Sequence, residues 1–292
     1  MPPALTSLQR DLLAWAAAHG RDLPWRHTRD PWSVLVSELM LQQTQVSRVV
    51  DRWPRFLDRF PDISTCAAAP VGEVVRAWAG LGYNRRAVNL HRAAQACVEG
   101  HGGVLPDDLG DLLALPGVGP YTARAVLVFA HGRDVGLVDT NAGRFLARAG
   151  AGRALAVREA QAMADRLVPA GEGWAWGQAV FDLGALVCRR RSPACGQCPL
   201  TGHCAWAAAG WPDPDPVARS AGISGGQSTF AGSDRQGRGR LVDALRQGPV
   251  AGPALSAAMG WPEEPGRARR VAGGLVADGL AVEDGAGGFR LP

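Results

Sequence analysis

The 292-residue chain contains no lysine, so all 31 of its basic residues are arginines. This absence excludes every mechanism that uses a lysine amine as a nucleophile and leaves only the α-amino group for Schiff-base chemistry. We attribute the general replacement of lysine by arginine to genome composition. The exclusion holds whatever its origin.

Long apolar runs are also missing, because no segment approaches the ~20 consecutive apolar residues of a membrane helix. The N-terminal residues lack the basic and apolar regions of a signal peptide. The hydrophobic content of 47% and the length of 292 residues indicate a globular protein, of about two domains. We expect a cytoplasmic protein without a membrane partner. The net charge of +4 permits nucleic acid as a partner.

Segments of alternating polar and apolar residues are almost absent, and the repeated pattern of helix, short loop and helix predicts an all-α fold. Residues 7–19 form the first predicted helix, and Asp30-Pro31 begins the next. Thr44 is predicted to cap a third helix that continues to Leu57. Further helices are expected at 141–149, 156–168 and 174–187.

The composition changes after Trp206. Residues 207–233 are rich in Pro, Gly and Ser and are interpreted as a flexible linker. Residues 234–292 are predicted as a separate unit with helices at 236–247, 253–259 and 265–278 and a terminal hairpin. This order resembles a winged helix, with Arg267, Arg269 and Arg270 on its third helix. Contact with DNA and a capping or interaction role are equally consistent with it.

Leu115-Pro116-Gly117-Val118-Gly119 is a tight turn whose glycines can adopt positive φ, and Pro120 begins a predicted helix directly after it. A glycine-rich turn that opens a helix presents N–H groups at the positive end of the helix dipole, which suits a phosphate. A purely structural turn is the alternative.

Two carboxylates stand out. Asp139 follows an apolar segment, with Asn141 two residues later, and it could also simply cap a helix. Glu38 lies within the apolar stretch 32–41, where desolvation favours a protonated carboxyl group. The alternative for Glu38 is a solvent-facing position beside Ser37.

Four of the six cysteines fall within 17 residues, spaced Cys-x6-Cys-x2-Cys-x5-Cys, and they are Cys188, Cys195, Cys198 and Cys204. In a cytosolic chain such a cluster indicates metal ligation rather than disulfides. Zinc and a [4Fe–4S] cluster both fit four thiolates. Because only one Cys-x2-Cys pair is present, the spacing favours the iron–sulfur cluster. Residues 189–191, all arginine, make this loop basic and suited to a phosphate backbone.

Together, the Leu-Pro-Gly-Val-Gly hairpin, the later Asp139 and the cysteine spacing resemble the helix-hairpin-helix DNA glycosylases over residues 8–206. Within that superfamily, residues 38–45 (Glu-Leu-Met-Leu-Gln-Gln-Thr-Gln) and 80–83 (Gly-Leu-Gly-Tyr) resemble the adenine DNA glycosylases. The resemblance implies a six-helix barrel domain at 25–131, which carries the hairpin. It also implies a domain at 1–24 and 132–206 that holds a [4Fe–4S] cluster.

Three alternatives follow from the same motifs. Endonuclease III shares them but places a catalytic lysine two residues after the second hairpin glycine, where this chain has Tyr121. Without lysine the Schiff-base lyase reaction is unavailable, and a monofunctional hydrolase remains. Some thymine or uracil mismatch glycosylases also carry tyrosine there, although the Glu-x3-Gln-Gln-Thr segment favours adenine. A non-catalytic DNA-binding protein of the same fold is the non-enzyme hypothesis.

The resemblance implies that adenine opposite 8-oxoguanine or guanine in duplex DNA is flipped into a pocket, by a monomeric enzyme. Glu38 would protonate the base, Asp139 would stabilise the positive charge on the sugar, and Tyr121 and Asn141 would position Asp139, the base or the water. Further roles fall to Trp25 and Arg26 (pocket lining), Leu41, Gln43 and Tyr83 (wedging the DNA stack), Gly117, Val118 and Gly119 (phosphate) and Cys188, Cys195, Cys198 and Cys204 (cluster).

The C-terminal tail departs from the resemblance. Most adenine glycosylases end in a β-rich domain, similar to nucleotide pyrophosphohydrolases, that recognises 8-oxoguanine. The tail at 234–292 is shorter than that domain and is predicted to be helical. The sequence therefore leaves open how strongly 8-oxoguanine is preferred over guanine.

Overall fold

The computed structural model describes residues 4–218, 220 and 229–292. Helices dominate these ranges, and the strand structure within them is a single antiparallel hairpin, β1 (Val282–Glu283) with β2 (Phe289–Arg290). The predicted all-α class is therefore confirmed. Across the same residues, no helix combines the length and the apolar character needed to cross a bilayer.

The helices are, in chain order, α1 (Ser7–His19), α2 (Pro31–Leu41), α3 (Val46–Val50), α4 (Arg52–Arg59), α5 (Ile63–Ala68), α6 (Val71–Ala77), α7 (Arg85–Gly100), α8 (Leu109–Ala114), α9 (Pro120–Phe129), α10 (Thr140–Phe145), α11 (Val157–Leu167), α12 (Gly173–Asp182), α13 (Ala205–Ala208), α14 (Asp234–Gln247), α15 (Leu255–Met259) and α16 (Pro265–Ala277). Single-turn 3₁₀ segments lie at Pro24–His27, Cys195–Gln197, Thr201–His203 and Gly252–Ala254. Short π-helical segments, Leu146–Ala151 and Leu183–Val187, extend α10 and α12.

The chain forms two compact units, each built from two distant segments. Met1–Pro31 joins Gly119–Gly226 in the first unit, and Trp32–Val118 joins Gln227–Pro292 in the second. The predicted tail therefore shares a unit with residues 32–118.

In the first unit, α1 begins with a capping box between Thr6 and Gln9 and packs along α12. Its Leu12 is completely buried. The helices expected at 141–149, 156–168 and 174–187 are present, with ends that differ by one or two residues. Edge-to-face packing of Phe145 against Trp176 fills the core between α10 and α12.

In the second unit, α5 packs against α7, and Phe56 meets Trp78 edge to face in the core. The expectation that Thr44 caps a helix is wrong, because Gln45 is the N-cap of α3 and makes no side-chain capping bond. The Thr44 hydroxyl instead accepts a hydrogen bond from Arg86. The helix expected to continue to Leu57 is divided at Asp51 into α3 and α4.

The tail contains α14, α15 and α16 packed on one another, followed by the hairpin, and Val250 forms a bridge with Phe289. The elements expected between 236 and 291 are thus present, while the likeness to a winged helix stays a prediction. Of the predicted linker 207–233, residues 219 and 221–228 lie outside the described residues. Within its described part, Asp215 pairs with Arg148 of the first unit.

Candidate active site and cluster site

Asp139 is the N-cap of α10. Its Oδ1 accepts hydrogen bonds from the backbone N–H groups of Asn141 and Ala142 at 2.8 and 2.7 Å. Its Oδ2 accepts one from Asn141 Nδ2 at 2.8 Å. The helix-cap interpretation is therefore correct as geometry. It does not conflict with a catalytic role, because the same bonds hold the carboxylate in one orientation.

Burial raises the pKa of the Asp139 carboxyl above its usual range, against the opposing effects of the Ala142 and Asn141 hydrogen bonds and the charge of Arg144. The ionised form is therefore poorly compensated in the free protein. A positive charge that develops beside such a carboxylate is stabilised more than it would be in water. Asp139 thus has the environment expected of an electrostatic stabiliser.

Asn141 is itself held by Arg144, a residue that the sequence did not single out. Arg144 is 7% exposed, and its Nη2 donates to Asn141 Oδ1 at 2.6 Å. Its Nε donates to the backbone carbonyl of Cys188 at 2.8 Å. One guanidinium therefore links the partner of Asp139 to the first cysteine of the cluster loop. The sequence offers no signal for this, since Cys188 lies 44 residues away.

Glu38 is 5% exposed in α2, and its helical neighbours Val34 and Leu35 are almost completely buried. The solvent-facing alternative is therefore wrong. A carboxyl group in this apolar setting is poorly solvated, and the structure agrees with the expectation of desolvation from the sequence.

The three residues expected to wedge the DNA stack lie on two neighbouring turns. Leu41 ends α2, and Gln43 follows it with φ of 53°. Tyr83, in the turn before α7, has φ of 44° and is 43% exposed. A positive φ is unfavourable for a residue with a side chain, and it persists only where the surroundings hold it.

Arg86 holds these two turns together, a role that the sequence did not reveal. Its Nη1 donates to the carbonyls of Leu39, Met40 and Gln42, and its Nη2 donates to Leu81, Gly82 and the Thr44 hydroxyl, all at 2.6 to 3.2 Å. The side chain is 7% exposed, and burial lowers its pKa to about 10. The only signal in the sequence is an arginine at the start of a helix.

The hairpin at 115–119 is a tight turn, as expected. Gly117 adopts φ of 79°, and a Cβ there would lie 2.6 Å from Asn89 Cβ, so both conformation and space require glycine. Gly119 adopts φ of −94° and is the N-cap of α9. The Val118 N–H donates to the Leu115 carbonyl at 3.1 Å, which commits it to the turn.

The predicted pocket residues Trp25 and Arg26 lie in the 3₁₀ turn after α1. Trp25 is 8% exposed, and Arg26 binds both oxygens of Asp182 at 2.8 Å. Although burial opposes ionisation of Asp182, hydrogen bonds from Arg26 and Arg21 lower its pKa below the usual range. Asp182 was not singled out from the sequence. Tyr121, in α9, packs its ring 6.2 Å from that of Phe181.

The four clustered cysteines line one cavity, together with apolar residues such as Leu183, Leu200 and Trp206. Arg148 Nη1 lies 3.5 Å from Cys188 Sγ and supplies positive charge beside the thiolates. Among the described residues, no three Cys, His, Asp or Glu side chains are grouped as ligands of a single metal ion. Four cysteine side chains around one cavity fit the donor set of a [4Fe–4S] cluster.

Comparisons with known proteins identify the family of the chain. Residues 36–169 match the family described as HhH-GPD superfamily base excision DNA repair protein, and residues 188–204 match the iron-sulfur binding domain of endonuclease III. An adenine DNA glycosylase of Mycolicibacterium smegmatis is 42% identical over 96% of this chain and 94% of its own length. One of Mycobacterium tuberculosis is 44% identical over 97% of this chain and 92% of its own. The chain belongs to the adenine DNA glycosylase family.

Membership of the adenine DNA glycosylase family makes the chain a DNA glycosylase of base excision repair, with DNA as its partner and a [4Fe–4S] cluster as its cofactor. Zinc at the four cysteines is thereby rejected. A solved structure of a thermostable thymine-DNA glycosylase is 28% identical, with a TM-score of 0.64 over 68% of this chain and 94% of that one. A trapped endonuclease III–DNA complex, 22% identical with a TM-score of 0.61, shares the fold.

Proposed function

We propose that the enzyme removes adenine paired with 8-oxoguanine or guanine in duplex DNA. The observation that carries this proposal is the buried Glu38 at the start of the segment Glu-Leu-Met-Leu-Gln-Gln-Thr-Gln. A buried carboxyl group can deliver a proton to a base that leaves poorly without one. The relatives named as adenine DNA glycosylases support the choice of base.

In the proposed mechanism, the adenine is flipped out of the duplex and Glu38 donates a proton to a ring nitrogen. The C1′–N9 bond then breaks, and its electron pair leaves with the base. Asp139, oriented by Asn141, stabilises the cationic sugar. Water adds to C1′ and gives a proton to the Glu38 carboxylate, which restores the acid and leaves an abasic site. Tyr121 is proposed to position the reacting groups.

The reaction stops at hydrolysis, because the chain has no lysine to form a Schiff base with the abasic sugar. The product duplex is therefore expected to keep both strands intact until alkali or another enzyme cleaves the abasic site.

DNA contacts are proposed at four places. Gly117 and Gly119 would bind a phosphate through their N–H groups, Trp25 and Arg26 would line the base pocket, and Leu41, Gln43 and Tyr83 would enter the stack. The basic loop at 189–191 would contact the DNA phosphate backbone.

We further propose that the protein acts as a monomer at the nucleoid in the cytoplasm.

A single-turnover assay on matched duplexes tests the substrate. Adenine opposite 8-oxoguanine, adenine opposite guanine and thymine opposite guanine are compared, with alkali used to reveal abasic sites. We expect product from both adenine duplexes and none from the thymine duplex. Product from the thymine duplex alone would favour a thymine glycosylase, the activity named for the 28%-identical solved structure.

The cofactor can be checked directly. Protein purified without oxygen should contain about four irons per chain and absorb broadly near 400 nm. Substitution of Cys198 by serine should lower the iron content, whereas Cys97→Ser, at a buried cysteine outside the cavity, should not. A colourless protein containing zinc contradicts the assignment.

A further inference from the structure

The C-terminal tail reaches the turn that carries Tyr83 through one side chain, Arg246. Arg246 lies in the last turn of α14, and its Nε and Nη2 donate to the Val75 carbonyl at 3.1 and 3.0 Å. The same Nη2 donates to Asn84 Oδ1 at 2.8 Å. Asn84 is the residue that follows Tyr83. A residue 162 positions away in sequence therefore holds the neighbour of the predicted wedge.

The environment of Arg246 is unlike that of a surface ion pair. Its side chain is only 7% exposed, and burial lowers its pKa. The acidic partner Asp243 is 70% exposed and lies on the same helix. An ion pair whose carboxylate is so exposed contributes little stability. The larger part of the guanidinium is used on Val75 and Asn84, where its planar fork binds two acceptors at once.

Other contacts of the tail fall on the same two helices. The Gly72 N–H, in α6, donates to the Pro292 carbonyl at 3.1 Å, and Arg85, at the start of α7, lies 3.4 Å from Asp278. The Tyr83 turn connects these two helices. Arg246 binds Val75 in the last turn of α6, and Asp278 pairs with Arg85 in the first turn of α7, so the tail contacts both helices next to the Tyr83 turn.

The turn itself needs such restraint. Gly80, Gly82 and Tyr83 all have positive φ, at 79°, 68° and 44°. Arg86 donates to the Leu81 and Gly82 carbonyls within the turn. Arg52 donates to the Ala79 carbonyl at its start, and Arg246 donates to Asn84 at its end. The exposed Tyr83 ring is thus carried by a turn with three positive φ angles, which hydrogen bonds from arginine side chains hold in place.

We propose that Arg246 is a positioning residue for Tyr83, and that through it the C-terminal tail sets how the enzyme reads the base opposite the excised adenine. This inference rests on the proposed function and on the wedge role of Tyr83. It assigns the tail a role within the reaction that does not require the tail to touch DNA.

The test compares Arg246→Ala with Arg240→Ala, which removes an exposed arginine from the same helix. Single-turnover rates are measured for adenine opposite 8-oxoguanine and opposite guanine. We expect the ratio of the two rates to change by about tenfold in Arg246→Ala, since small displacements of positioning groups have effects of this order or larger. The ratio should be unchanged in Arg240→Ala.

A second readout follows the wedge directly. With 2-aminopurine in place of the opposing purine, insertion of Tyr83 into the stack raises fluorescence on binding, and Tyr83→Ala gives the baseline. Arg246→Ala should move the signal toward that baseline. Arg246→Lys keeps the charge but lacks the planar guanidinium that binds Val75 and Asn84 together, so it should resemble Arg246→Ala. A wild-type rate ratio and fluorescence signal in Arg246→Lys would contradict positioning of Tyr83 through the guanidinium group.

Asn84→Ala separates a loss of positioning from misfolding. It removes the hydrogen bond of Arg246 beside Tyr83 and leaves the hydrogen bonds from Arg246 to Val75 in place. Asn84→Ala should change the rate ratio through the same contact as Arg246→Ala. The double variant should therefore change the ratio by less than the two single effects combined. Unchanged ratios and fluorescence in both variants, with an active wild type, overturn this inference alone. A wild type that releases no adenine overturns the proposed function instead.

Discussion

Asp139→Asn is expected to slow base release by a factor on the order of 10³ or more, without weakening duplex binding. Such a loss corresponds to about 4 kcal/mol of transition-state stabilisation. Asparagine keeps the size of the side chain and is also a good helix N-cap, so α10 should begin at the same residue. What disappears is the negative charge beside the sugar.

The measurement is a single-turnover rate on adenine opposite 8-oxoguanine, with the dissociation constant of the same duplex determined in parallel. Asp134→Asn is the matched control, since Asp134 also accepts two backbone hydrogen bonds, from Gly171 and Gly173, but it has no proposed role in catalysis. Activity near that of the wild type in Asp139→Asn would mean that another group stabilises the cation.

The raised pKa of Asp139 gives this prediction a consequence in pH. Catalysis needs the carboxylate, so the wild-type rate should fall on acidification at a pH above the usual value of 3.8 for aspartate. A carboxyl group whose pKa is higher in the folded than in the unfolded protein stabilises the fold fully only at a pH below its pKa in the unfolded protein. This stabilisation is lost as the pH rises through its pKa in the folded protein. At neutral pH the asparagine variant should therefore unfold no more easily than the wild type. Denaturant unfolding of both proteins checks this.

The local features of both carboxylates could be predicted from the sequence. Glu38 stands in a run of aliphatic residues, and of the two positions that the sequence left open for it the buried one is observed. Asp139 precedes a helix, and the cap that the sequence offered as the alternative is present. The cysteine spacing alone likewise indicates a cluster. These predictions succeeded because each depends on residues close together in sequence.

The supporting residues could not be predicted, because their partners are distant in sequence. Arg144 donates to the carbonyl of Cys188, and Arg86 donates to carbonyls that lie more than 40 residues earlier in the chain. A backbone carbonyl has no sequence signature, so an arginine that binds carbonyls looks like any surface arginine. Because the chain has 31 arginines and no lysine, residue type does not distinguish the buried arginines from the exposed ones either. Thr44 was misassigned for the same reason, since its hydroxyl serves Arg86 rather than a helix end.

Glu38→Gln is the second variant expected to have a large effect, with base release slowed by roughly 10²- to 10⁴-fold, the usual contribution of a general acid. Glutamine has nearly the same volume as a protonated glutamic acid and is also neutral, so the packing of α2 should persist. The amide cannot give a proton to the leaving base. Duplex binding should therefore change little.

The proper control is Ser37→Ala, at the adjacent buried position, where the hydroxyl donates to the Val34 carbonyl within the same helix. It disturbs α2 to a similar extent without touching the acid. The loss of rate in Glu38→Gln should be smaller for a purine analogue that leaves readily without protonation, because release of such a base does not need the acid. An equal deficit for both bases would mean that Glu38 positions the substrate rather than protonates it.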